Sequence, residues 1–178
     1  MISKMPFLIE AGSIPDDSMN TGSLALARLW GGELISFSIE ESPNEVICSL
    51  PSLDGLVRLR GDAAITNVSG GSWLEALAAW RIPVILVAMP LPSGHIPGAA
   101  YAYVALCKQL SVPLVGILQL EGPWKPQLRR LDGLPWCGHI PSDAIKVDLN
   151  NNDARNNTLV ELHNVIYNLK SRYFHLTK

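Results

Sequence analysis

No lysine stands between Lys4 and Lys108 of this 178-residue chain, and the string G-x-x-x-x-G-K-[ST] occurs nowhere in it. That absence excludes the standard phosphate cradle, in which a glycine-rich turn offers backbone N–H groups and a lysine supplies the positive charge. Charge is scarce altogether. Asp, Glu, Lys and Arg make up 17% of residues and the formal net charge is −2, so the footprint of a nucleic-acid or anionic-lipid binder is missing. The three cysteines, Cys48, Cys107 and Cys137, are odd in number and lack C-x-x-C spacing, which reads as reduced, mostly buried thiols of a cytoplasmic protein. Long apolar runs are missing too. The longest, Ile82 to Leu91, is broken by Pro83 and Pro90 and falls far short of a membrane span. The N-terminal MISKMPFLIEAGS has neither the long apolar core nor the small-residue cleavage site of a secretory leader. The expectation is a soluble protein with neither membrane nor nucleic acid as partner.

Apolar residues make up 48% of the chain, which suits a buried sheet covered on both faces and one domain with a sizeable core. Phe7-Leu8-Ile9 reads as a strand, and Ile14 to Asn20 as polar and turn-rich. Thr21 is placed to cap a helix over Gly22 to Trp30, which Gly31-Gly32 stops. Glu33 to Ile39 reads as a strand, 40–54 as a loop broken by Pro43 and Pro51, and Leu53 to Leu59 as a short helix. Asp62 then opens a strand through Val68 that ends in Ser69-Gly70-Gly71, and Trp73 to Trp80 is a helix. Arg81 to Ala88 is the clearest strand, and its continuous apolar run implies burial on both faces, as in a parallel sheet.

The loop Met89 to His95 leads to a helix over Pro97 to Gln109, with Pro97 well placed in its first turn. Val112 to Leu118 is a strand, residues 123–133 hold a short basic helix, and Leu134 to Ile140 is a last strand. This alternation predicts an α/β fold with a doubly wound, mostly parallel sheet flanked by helices. Residues 1–148 form that single domain. Residues 149–178 add a polar linker and an amphipathic helix over Thr158 to Tyr173, with Leu159, Leu162, Val165, Ile166 and Leu169 at helical spacing. That stripe docks on the sheet or meets a partner subunit.

Several groups invite a chemical reading beside a plain one. Ser69-Gly70-Gly71 at a strand end is an anion-binding nest or only a turn. Ser93 with His95 is a nucleophile–base pair or a surface turn, and two residues apart in a loop favours the turn. Lys125, Arg129 and Arg130 form a small basic face that reads as solvated; Trp124 and Trp136 beside it line a pocket mouth or pack in the core. His163 and His175 lack ligand spacing and read as surface residues.

Five segments carry a resemblance when taken in order: Asp62-Ala63-Ala64-Ile65-Thr66-Asn67-Val68-Ser69-Gly70-Gly71, Pro83-Val84-Ile85-Leu86-Val87, Gly94-His95-Ile96-Pro97-Gly98, Ser111-Val112-Pro113-Leu114-Val115-Gly116 and Cys137-Gly138-His139-Ile140-Pro141. Their order and spacing resemble the dethiobiotin synthetase family. Its pattern runs from an acidic residue opening a strand that ends in E-G-A-G-G, through a helix and a P-V-I-L-V strand, to a G-x-I-N-H helix start. A G-L-P-L-x-G strand and a closing L-G-x-I-P follow. Amidotransferases of cobalamin synthesis and partition-type ATPases share parts of it. The resemblance covers less than half of the chain; Phe7 to Gly12 and Thr21 to Phe37 can be laid on the family's first strand, P-loop, first helix and second strand.

The resemblance implies a P-loop NTPase-like three-layer sandwich, a homodimer with its site across the interface, and a ligand touching Ser69 to Gly71, Ser93 to Ile96 and His139 to Ser142. The residues it marks for ligand binding are Ser69, Gly70, Gly71, Ser93, Gly94, His95, Gln119, His139 and Pro141. The departures fall on the chemistry. Where the P-loop would run, Gly12 to Ser23 read GSIPDDSMNTGS, with Asp16 and Asp17 in place of a lysine. At an effective dielectric of ~20, each carboxylate at ~4 Å from a phosphate charge opposes binding by about 4 kcal/mol. The family's Mg²⁺-binding Glu falls on Asn67, its second-strand Lys on Ser38, the Asn and His of G-x-I-N-H on Pro97 and Gly98, and its adenine-recognising Asn near Gln119-Leu120. Phosphoryl transfer is positioning and charge neutralisation, and this set removes most of both.

The expectation is therefore a dethiobiotin synthetase-like protein that has lost ATP-dependent catalysis and serves as a binding, regulatory or assembly module. It has no catalytic residue or metal ligand and no expected ATP or Mg²⁺, and its partner is a small molecule or a protein. Two alternatives stand. One is a divergent ATP-dependent ligase of dethiobiotin synthetase or cobalamin-amidotransferase type, with Lys4, Lys108 or Lys125 supplied by a second chain. The other is a structural domain always bound to another polypeptide.

Overall fold

The computed structural model describes residues 5–50, 54–68, 70–142 and 155–177, with side chains from residue 160 in the last segment. Six strands, β1 (Phe7–Glu10), β2 (Glu33–Ser38), β3 (Gly55–Arg60), β4 (Val84–Ala88), β5 (Leu114–Leu120) and β6 (Trp136–Ile140), form one sheet in the order β2-β3-β1-β4-β5-β6. Every pairing is parallel. Helices α1 (Asp16–Trp30), α2 (Pro43–Ser49), α3 (Trp73–Ala79), α4 (Gly98–Leu110), α5 (Pro126–Leu131) and α6 (Arg155–Leu176) cover it. The chain is thus α/β, a doubly wound parallel sheet between two helical layers.

Alternation along the strands divides the core. Phe7, Ile9, Val57, Leu59, Val84, Leu86 and Ala88 face α3 and α4. Leu8, Leu56, Ile85 and Val87 face the opposite layer, packed with Leu26 and Trp30 of α1 and with Leu162, Val165, Ile166 and Leu169 of α6. The stripe of α6 therefore docks on the sheet, the first of its two readings. Because all strands run the same way, the loops after them gather at one edge, where ligands bind in such sheets.

Four local expectations need correction. In place of a helix over Leu53 to Leu59, Gly55–Arg60 is strand β3, sandwiched between β1 and β2. A short apolar run fits either state, and pairing on both sides decides it. Asp62 to Val68 is no strand. The segment is a loop in which Asp62 Oδ1 accepts from the Ala64 N–H at 2.9 Å and from the Tyr103 hydroxyl, local bonds that compete with a ladder. Residues 43–49, expected as loop, form α2, because Pro43 sits in its first turn and starts the helix. Helix α1 begins at Asp16, not Gly22; Thr21 does not cap it but bonds back to the Asp17 carbonyl at 2.7 Å. Pro15 sets the entry angle, and two acids in the first turn favour the positive end of the helix dipole. The expected linker over residues 149–153, the breaker Pro51 and Ser69 lie outside the described residues.

Among the described residues no helix is long and apolar enough to cross a membrane. Cys107 and Cys137 are buried and Cys48 is exposed, all three free. Burial pushes the Cys107 thiol up to about 11.

Candidate functional site

From β1 the chain crosses to one side of the sheet, and from β4 to the other, so the boundary between these neighbouring strands is the topological switch point. The loop after β1 closes against it: the Ala11 N–H donates to the Val87 carbonyl at 2.8 Å, and a Cβ on Gly12 would lie 3.4 Å from Ala99 Cβ. The loops after β4 and β5 also touch. A Cβ on Gly122, whose φ is +65°, would come 2.5 Å from Pro90 Cγ.

Charge in the neighbouring crevice, between β1 and β3, is used internally. Arg58 on β3 is buried, points into the α1 layer, and meets Asp16 Oδ1 at 2.5 Å and Asn20 Oδ1 at 3.3 Å. The helix N-terminus that would face a phosphate thus presents Asp16 to an arginine of its own chain. Asp16 is not the bare carboxylate expected from the sequence; Arg58 offsets its charge. Glu10, at the end of β1, is half-buried. Desolvation raises its carboxyl above the usual range, while Arg58 and the Gly61 N–H pull it back and Asp16 and Asp62 add to the rise.

Beyond β4, the loop carrying Ser93, Gly94 and His95 is strapped from outside. Lys125 Nζ donates to the Ser93 carbonyl at 3.2 Å, and Arg129 Nη2 donates to the Gly94 carbonyl. Arg129 is not part of a solvated basic face. It is 3% exposed, lies 5.2 Å over the Trp136 ring and pairs with Asp132 at 3.2 Å. Ser93 and His95 are joined only by the His95 backbone N–H donating to Ser93 Oγ at 3.4 Å, which is the surface-turn arrangement.

At the far flank, Gln119 of β5 is fully buried and its Nε2 points at the carbonyls of Glu121, Gly122 and Pro123, at 2.8, 3.4 and 3.3 Å. His139 of β6 reaches the same Gly122 carbonyl from Nε2 at 3.1 Å. Burial lowers the His139 pKa, against the smaller upward pulls of that bond and of Glu161. Trp124 stacks on it, ring centres 5.7 Å apart and planes at 14°. Trp124 lines a cavity of about 400 Å³ between β6 and α6, so it stands at a pocket mouth and not in the core. A second cavity, of about 200 Å³, lies at the opposite edge among Met5, Trp30, Lys170 and Tyr173.

Of the residues singled out from sequence, Gln119 and His139 face each other across paired strands, and Pro141 follows β6. Ser93, Gly94 and His95 lie in the strapped loop two strands away. Gly70 and Gly71 sit in the loop before α3, closed by the Asn67 N–H donating to the Gly71 carbonyl at 2.9 Å. The strand end that would have presented them, and Asn67 with them, is absent. Sequence reasoning passed over Arg58, Glu10, Glu161, Asn164 and Asn168. For Arg58 the signal was present as an arginine inside the apolar run Leu56 to Leu59. Among the described residues no cluster of His, Cys, Asp or Glu is placed to hold a metal ion. The sequence matches no protein-family model and no curated protein.

Proposed function

We propose that this protein is a dethiobiotin synthetase-like shell that no longer transfers phosphate, acting in the cytoplasm as a homodimeric binding or regulatory module. The observation that carries the reading is the Asp16–Arg58 pair: at the N-terminus of α1, a carboxylate of the chain stands where an anionic ligand would be bound. A tethered anion at high effective concentration competes with any free one. The absence of lysine from residue 5 to residue 107 points the same way, as does the doubly wound parallel sheet that the resemblance implies.

Calorimetric titration with ATP and Mg²⁺, with and without diaminopelargonic acid, tests the reading. No heat at high protein concentration is the expected result. Micromolar nucleotide binding would overturn it and favour the divergent ligase. One observation keeps that second reading in view: Lys125 lies against the Ser93 carbonyl, at the ligand-binding edge of the sheet. Turnover that disappears in Lys125→Ala would establish it.

A further inference from the structure

The cavity between β6 and α6 is an open groove with an aromatic wall and an exposed polar wall. Its volume of about 400 Å³ falls among small-molecule sites, which span roughly 300–1,000 Å³. One wall is the Trp124 ring, held by stacking on His139 and by an edge contact to Trp136 at 5.8 Å and 83°. Gln119 fixes the loop that delivers this ring by donating to its carbonyls. The opposite wall is polar: Glu161, Asn164 and Asn168 recur at three- and four-residue spacing along one face of α6. Asn168 is anchored there, its Nδ2 donating to the Cys137 carbonyl at 3.1 Å. The floor is Cys137, Gly138 and Val165, and a Cβ on Gly138 would sit 2.5 Å from Val165 Cγ2. Further along the helix, Arg172 covers the Pro135 and Trp136 carbonyls at 2.9 and 3.2 Å. The start of β6 is therefore sealed by Arg172.

We propose that this cavity binds a small, planar, positively charged heteroaromatic molecule. The indole face attracts a flat cation through its quadrupole and by stacking. Glu161 is the one carboxylate among the lining side chains, and no Lys or Arg stands among them. The amides of Asn164 and Asn168 supply hydrogen bonds that fix orientation. Anionic heteroaromatics of equal size meet the same surfaces and are repelled by Glu161. The proposal uses none of the residues at the α1 N-terminus and stands whether or not nucleotide binds there.

The test is calorimetry on the full chain with N-methylquinolinium as probe and naphthalenesulfonate as the anion of matching shape. The cation should bind saturably, at least about tenfold tighter than the sulfonate. Glu161→Gln, on the exposed side of α6, should keep the wild-type melting temperature, weaken the cation about fivefold and narrow the gap to the sulfonate. Trp124→Leu should weaken the cation about tenfold. Four results would each overturn the proposal: no saturable binding at millimolar cation, equal affinity for cation and anion, unchanged affinity in Glu161→Gln, or tighter binding of N-acetylarginine amide, which would assign the cleft to a protein side chain.

Discussion

Two arginines, Arg58 and Arg129, are each only 3% exposed, and each pairs with an aspartate. Their partners differ. The side chain of Asp16 is 74% exposed at 2.5 Å from Arg58, whereas that of Asp132 is 11% exposed at 3.2 Å from Arg129. The second pair is closed: Asp132 also accepts from the Tyr101 hydroxyl at 2.9 Å, and Arg129 lies on Trp136 and holds the Gly94 carbonyl. It is a strut that ties α5, α4 and the loop after β4 together. The first pair opens to solvent at a helix N-terminus, so its aspartate occupies a place where a ligand anion would also fit. Burial of the arginine is the same in both; exposure of the acid separates an enclosed strut from a pair open to solvent.

The closed pair should therefore break most expensively. Arg129→Ala leaves Asp132 buried without its partner and strips the support of the Gly94 loop, and a drop of ~3–5 kcal/mol in urea unfolding is expected. Asp16→Ala removes a charge-assisted bond from Arg58, but Asn20 remains in reach, so about 1.5–3 kcal/mol is expected. If Asp16→Ala costs more than Arg129→Ala, the open pair is the structural one and the contrast fails. The neighbouring Asp17 sharpens it further. Asp17 shares the first turn of α1 but has no arginine, so Asp17→Ala should cost only the helix-dipole interaction, about 0.3–1 kcal/mol. A cost equal to that of Asp16→Ala would show that the dipole, and not Arg58, governs this helix end.

What was legible in the sequence followed the strength of local signals. The run Val84 to Ala88 is apolar without interruption, and β4 is buried on both faces as that run requires. Strand β3 carries no clear strand signal because Arg58 and Arg60 break its apolar run, and its place between β1 and β2 makes it extended. The helical turn at Asp16 was hidden by Pro15 and the two acids, which mark a helix start as readily as a polar turn. The cavity could not be read at all. Trp124, His139 and Glu161 lie far apart along the chain, and the polar stripe of α6 acquires meaning only once its apolar stripe has docked beside β6.

The smallest expected effect concerns Glu10, which adjoins the open pair and reports its field. Desolvation raises the carboxyl above the ordinary glutamate range, so the folded protein takes up this proton at a higher pH than the unfolded chain. Between the ordinary value and the raised one the folded state binds more protons, and stability falls as pH rises through that window. Below it both states are protonated and the penalty is absent; above it both are ionised and the penalty is complete. Glu10→Gln removes the titration, so its stability relative to the parent should increase with pH across the window and level off beyond it. The change is small because Glu10 is only half-buried and water screens it. The Asp16→Ala background tests the coupling. Losing Asp16 removes one upward push and leaves Arg58 less neutralised, so Glu10 should titrate closer to the ordinary range and the window should narrow. A window of unchanged width would mean that the Asp16 charge is not felt at Glu10 and that desolvation sets the rise without it.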